Sequence, residues 1–444
     1  MSPNNNIHLV FVCLPYYGHF RNLRALALHL APKGYTSMFL TGRVLEEHIS
    51  SIPNAEFHAI EGTGGTGTKA LPAKVPGRYE HAKGPDRSAW DFMNIFVPSA
   101  EDQIIALKEV LNDPALSSKR IVVIHEGLVL GTMALTHDSP HFPRRVPVIS
   151  VGAYPYPGNS KDTAPVLMGV SNLGEEQNLK MNEMFRQALM PGFKAFEAIL
   201  QKYEIQKPLP SDKLFDLMVM TPDISLQMCP TEMEPPRSDV FENVRFIGAL
   251  SGGNAKGPLP DWFDSFVVQD KSKPLVVVVG GTWMDVDVND IIVPTIEACS
   301  TLDVRLVVCE ADAVMPADLQ LPPNVRTAKW IAFDDLFPHA SIVVANGGYG
   351  AICQAFSHGV PMVLAGTVGD HIATTLRAEE TGAAINLKSQ TPGTQRVKAA
   401  LQEVLSNSVY RSRALEMQKA FAKHDAAAEA EQAILELVEK FYSD

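Results

Sequence analysis

Hydrophobic residues gather into short, unalternating runs at 7–15, 37–40, 121–124 and 146–151. Such runs suit strands covered on both faces, the condition of a parallel sheet. Between them the spacing turns helical: after the turn Tyr16-Tyr17-Gly18-His19, the residues Leu23, Leu26, Ala27 and Leu30 share one face. Strand, turn and helix in alternation predict a doubly wound α/β unit. The pattern restarts beyond residues 251–262, SGGNAKGPLPDW, a polar stretch rich in glycine and proline that reads as an interdomain linker. Strands are expected again at 274–279, 303–309, 324–328 and 341–345, and the Ala-, Glu- and Lys-rich tail, 410–442, reads as helical. The loop 62–85, rich in Gly, Thr and Pro, reads as a mobile surface excursion or as a lid over a pocket.

The length of 444 residues exceeds one ordinary core and fits two Rossmann-sized domains with a cleft between them. A formal net charge of -12 argues against binding nucleic acid or anionic membrane, so any phosphate site must be local. The five cysteines, Cys13, Cys229, Cys299, Cys309 and Cys353, form no CxxC pair, which suggests reduced thiols, no zinc site and a cytoplasmic setting. Neither a signal peptide nor a span of about 20 apolar residues is recognised, so no membrane insertion is expected.

Residues 341–371, SIVVANGGYGAICQAFSHGVPMVLAGTVGDH, carry the sharpest chemical signal. An apolar strand runs into Asn346-Gly347-Gly348-Tyr349-Gly350, a turn nearly stripped of side chains, and then into a helix. The first amides of a helix lack intrahelical partners and sit at the positive end of its dipole, so a diphosphate can be held there without a metal ion or a lysine. Neither GxxxxGK[ST] nor, at this spot, GxGxxG is present, which points to another nucleotide ligand. The turn Gly18-His19 follows the first strand directly and places an imidazole at the mouth of the first sheet. With an unperturbed pKa of about 6.5, it can act as a base near neutral pH. A polar turn residue at a strand end is the plainer alternative.

Trp330, Pro338-His339, Asn346 to Gln354, Gly359-Val360-Pro361 and Asp370-His371, taken as one ordered set, resemble the donor box of the family 1, UDP-dependent glycosyltransferases of the soluble bacterial, fungal and plant type. The resemblance spans nearly the whole chain. It implies a GT-B fold, two Rossmann-like domains with parallel sheets facing across a cleft. The divisions are an acceptor domain at 1–250, a linker at 251–273, a UDP-sugar domain at 274–420, and a C-terminal helix at 421–444 crossing back to the first domain.

The resemblance further implies His19 as general base, a carboxylate partner at the end of a later strand, Trp330 stacked on uracil, and a diphosphate held by Asn346, the amides of Gly347, Gly348, Tyr349 and Gly350, and Thr282 and Gly18 from the opposite turns. Gln354 stands where the family has a ribose-binding glutamate, Asn346 where it has histidine, and Phe333 where it commonly has glutamine. Asp370 and His371 stand where Asp-Gln holds the sugar hydroxyls, with glucose the default sugar. For the base's partner, Glu126 is the leading residue, one methylene longer than the family's aspartate. His125 facing the cleft, with Glu126 capping a helix or lying in solvent, stays open. Residues 151–168 are expected to wall the acceptor site, with Tyr154 and Tyr156 either stacking on a phenolic acceptor or packing into the domain.

The function expected is inverting transfer of a hexose from a UDP-sugar to a hydroxyl of a small, largely apolar or phenolic acceptor, with no cofactor, metal or nucleic acid involved. The rivals are a UDP-sugar epimerase of the same fold and a non-catalytic nucleotide-sugar-binding protein.

Overall fold

The computed structural model describes residues 3–82, 85–210, 214–252, 258–282 and 287–443. Parts of the expected linker (253–257) and of the glycine- and proline-rich loop (83–84) lie outside the described residues.

Two parallel sheets form the frame. The first contains β1 (Ile7–Val12), β2 (Thr36–Thr41), β3 (Ala55–Ala59), β4 (Arg120–Glu126), β5 (Val148–Gly152), β6 (Ile224–Gln227) and β7 (Val244–Phe246), in spatial order β3-β2-β1-β4-β5-β6-β7. The second contains β8 (Leu275–Val279), β9 (Arg305–Cys309), β10 (Val325–Ala328), β11 (Ile342–Ala345), β12 (Met362–Leu364) and β13 (Ala384–Asn386), in order β10-β9-β8-β11-β12-β13. Every residue of β1, β8 and β9 is buried, as strands with helices on both faces require. In each sheet the strand order reverses once, between β1 and β4 and between β8 and β11. Ligands of open α/β sheets bind at such reversals, outside the carboxyl ends of the strands. Together the sheets have the two-domain GT-B architecture.

One expectation needs correction. The loop at 62–85 is built into the first domain rather than lying free: Leu71 is fully buried, and Arg78, also fully buried, makes paired bonds of 2.7 and 2.8 Å to Asp91. The stretch assigned to the linker contains a helical segment, Asp264–Gln269, whose Val267 is buried in the core. The tail forms two helices, Ser408–Phe421 and Ala426–Tyr442. The last of these packs on the first domain, where the Tyr442 hydroxyl donates to the Ile121 carbonyl at 2.8 Å and accepts from the Ile121 amide at 3.1 Å. A further tie is the buried pair between Arg377 of the second domain and Glu234 of the first, Nε to Oε2 3.1 Å. Among the described residues no helix is long and apolar enough to cross a membrane.

Candidate active site

Val12, the last residue of β1, stands opposite His125 of β4 in the sheet register, so Glu126 projects just past the end of β1. The helix Tyr17–Leu30 begins at that same edge. Its first turn carries His19, whose Nδ1 lies 3.0 Å from Glu126 Oε2, and the same oxygen accepts the Leu128 N–H at 2.9 Å. The first reversal point therefore holds a histidine–carboxylate pair. Glu126 is 1% exposed and His19 23%, so the carboxylate is enclosed and the imidazole reaches the cavity. Desolvation by itself lowers the pKa of His19, but the charge and hydrogen bond of Glu126, with a smaller contribution from Asp370, hold it above 6.5. Burial acts upward on Glu126, yet His19 and the Leu128 amide hold it below its ordinary value.

His125 does not face the cleft. It is 3% exposed, its Nδ1 donates to the Glu126 carbonyl at 2.8 Å, and burial lowers its pKa to about 4, so it stays neutral. Strand alternation explains the difference: successive side chains of β4 point to opposite faces.

The second reversal point is made of backbone. Gly347 adopts φ 94°, a left-handed conformation, and a Cβ there would lie 2.6 Å from Thr375 Cγ2. Gly348 precedes the helix Tyr349–Ser357, whose start has no side-chain cap. Across from it, Thr282 follows the Gly280-Gly281 turn after β8, with its hydroxyl 3.5 Å from where a Cβ on Gly18 would stand. The two domains' glycine turns thus face each other closely.

One cavity of about 650 Å³ joins the two points. Gly18, His19, Thr282, Trp330, Asn346, Gly348, Tyr349, Gly350, Asp370 and His371 line it. Trp330 is 48% exposed and lies 5.3 Å, centroid to centroid, from Tyr17, so it is no core tryptophan. The ring of Tyr349 is buried in the core, which leaves its backbone for the cavity. Two residues depart from the expected picture. Gly347 shapes the turn without lining the cavity. Gln354 is 2% exposed, and its Oε1 accepts from Arg21 Nη1 at 3.3 Å instead of facing open space.

The far end of the cavity is apolar, walled by Phe92, Phe96, Met168, Met184, Phe185 and Phe215. Of the stretch 151–168, residues 153–155, Pro157 and residues 166–168 line the cavity. Residues 160–165 do not: Ser160 turns to Asp239, Oγ to Oδ1 2.9 Å. Tyr156 is packed under Arg237, guanidinium to ring centroid 4.8 Å, and stacks on nothing in the cavity. Arg21 was missed by the sequence reading, as were the aromatics of residues 92–96.

Comparison with known proteins bears on the family and the fold. Residues 294–437 match the family model described as "Erythromycin biosynthesis protein CIII-like, C-terminal domain". The chain is 35% identical to UDP-glycosyltransferase 2 of Phaeomoniella chlamydospora, over 94% of this chain and 93% of the relative. It is 27% identical to UDP-glucosyltransferase A1 of Starmerella bombicola, over 98% and 94% respectively. Among solved structures, the calicheamicin glycosyltransferase CalG4 superposes with a TM-score of 0.70 at 18% identity, covering 98% of this chain and 99% of that one, a likeness of fold.

Proposed function

The chain belongs to the UDP-glycosyltransferase family and is a glycosyltransferase, and from that premise we propose an inverting transfer of glucose from UDP-glucose to a hydroxyl of a small, largely apolar or phenolic acceptor. The observation that carries the proposal is the His19–Glu126 pair at 3.0 Å, held at one end of a cavity whose other end is an uncapped helix start.

In this reading Glu126 keeps the proton on His19 Nδ1, so Nε2 is free to accept one. His19 takes the proton of the acceptor hydroxyl as that oxygen forms its bond to the anomeric carbon. The bond from that carbon to the diphosphate breaks on the opposite face, its electron pair leaving with UDP, so an α-linked donor yields a β-glycoside. The charge on the leaving group is met by Asn346, Thr282 and the amides at Gly348, Tyr349 and Gly350, donors fixed before reaction, rather than by a metal ion. Trp330 supplies a flat face for uracil, and Asp370 and His371 take the sugar hydroxyls. The glucosyl choice is supported by the relative named a UDP-glucosyltransferase. The apolar acceptor is supported by the phenylalanine and methionine wall.

The test is UDP release from a panel of UDP-sugars, with and without phenolic and aliphatic alcohols, for the wild type beside His19→Ala. Acceptor-dependent release that is fastest with UDP-glucose and lost in the variant is the expected result. Undiminished release in the variant would remove His19 from the role of base.

A further inference from the structure

Arg21 is one of the few cations buried among the described residues, at 8% exposure, and it lies two residues beyond His19 on the same helix. It crosses the domain boundary. Its Nη2 donates to the Gly350 carbonyl and its Nη1 to Gln354 Oε1, both at 3.3 Å, and the guanidinium lies 5.8 Å from the Phe333 ring centroid. The approach is so close that a Cβ on Gly350 would stand 2.7 Å from Nη2, which gives this glycine a reason of its own.

Among the described residues, Arg21 has no paired counter-charge. Two other deeply buried arginines have one: Arg78 is paired with Asp91, and Arg377 with Glu234. Arg21 touches only neutral oxygens, at lengths beyond the 2.7–2.9 Å of a charge-assisted bond. The acid whose field reaches it, Asp334, is already engaged by the Gly252 amide at 3.1 Å and His358 at 3.6 Å. A buried cation without an anion is costly, and here it is set against a helix start that is itself electropositive. Both line the same cavity, in a chain of net charge -12. The arrangement becomes favourable when an anion enters.

We propose that Arg21 is the cation of the nucleotide site. Its guanidinium, which donates to Gly350 and Gln354 in the structure, reaches the diphosphate of a nucleoside diphosphate sugar, and that turn frees Gln354 Oε1 for the ribose hydroxyls. The inference rests on the transferase reading and adds to it a donor contact from the acceptor domain, so that binding the donor draws the two domains together. It also supplies the positive charge missing at Asn346.

The experiment measures binding of UDP and of uridine by calorimetry to the wild type, Arg21→Met and Arg21→Lys, with a melting curve for each. Arg21→Met keeps the apolar stem and removes the charge. The expected result is UDP binding weakened about tenfold to a hundredfold in Arg21→Met, partly recovered in Arg21→Lys, with uridine binding unchanged. Unchanged UDP affinity with a lowered melting temperature would make Arg21 an interdomain strut and overturn the proposal. Equal loss of UDP and uridine would also overturn it, since the residue would then only shape the pocket. A wild type that binds neither would instead strike at the transferase reading itself.

Discussion

The two reversal points of this molecule do their work with opposite materials. At the first, between β1 and β4, the chemistry lies in side chains: His19 and Glu126, 3.0 Å apart, each shifting the other's proton affinity. At the second, between β8 and β11, it lies in backbone, with Gly347 at φ 94° and an uncapped helix start. The difference fits the two tasks proposed for them. Moving a proton requires a group whose pKa can be set by its neighbours, and only a side chain offers that. Holding a diphosphate requires several donors fixed in direction, which successive amides provide without rotamer entropy. Arg21 is the exception that links the two, a side chain of the first region resting on the backbone of the second.

If the division is right, damage to the first region slows chemistry without loosening the donor. His19→Ala is expected to lower kcat by about 10²- to 10⁴-fold while UDP affinity stays within twofold, read by steady-state UDP release and calorimetry. Parallel loss of both would merge the two regions into one.

Glu126→Gln is expected to lower kcat by about 10²-fold and to move the pH profile. Because Glu126 raises the pKa of His19 above 6.5, the wild-type base is protonated and idle until pH climbs through that raised value, so kcat/KM should rise on an acid limb above 6.5. Without the carboxylate, desolvation remains as the main influence and acts downward, so the limb should shift to lower pH. An unmoved limb would assign it to another group.

The second region should answer in binding. Trp330→Ala is expected to cost about 1–3 kcal/mol of UDP affinity by loss of a stacking face, with little change in stability because the side chain is 48% exposed. Gly347→Ala should instead cost about 1–3 kcal/mol of stability, since its φ of 94° and the 2.6 Å approach to Thr375 Cγ2 leave no room for a methyl group, and UDP binding should fall with the turn.

The smallest effect lies outside both regions. Tyr442→Phe removes the hydroxyl that links the last helix to Ile121, and about 0.5–1.5 kcal/mol of stability should go with it while kcat and UDP affinity hold. Thermal denaturation beside activity checks this. A drop in activity would show that docking of the tail controls the relation between the domains.

Strands, the glycine turns and the alternation of the fold were legible along the chain, because apolar runs and stripped turns are local signals. Strand ends were less so: the run 121–124 extends as β4 to Arg120–Glu126, which brings His125 and Glu126 into the sheet and fixes them on opposite faces. That single extension separates the two residues the sequence left as alternatives. Gln354 was read from its place in the box as facing a ribose, and its engagement by a residue 333 positions away in the chain has no local signature. The loop at 62–85 misled for the same reason, since its composition is that of free surface while the Arg78–Asp91 pair that pins it forms only on folding.

The sequence alone, then, determined two parallel sheets, a glycine cradle at a helix start and a histidine at a strand end, since each is written in neighbouring residues and in the period of their hydrophobicity. Tertiary structure decided which carboxylate stands behind His19, that Trp330 is exposed beside Tyr17, and that Arg21 lies buried against the neutral oxygens of Gly350 and Gln354. These depend on distance and burial between residues from separate strands and separate domains. Electrostatics and solvation act through space, and the order of residues along a chain does not state which of them will meet.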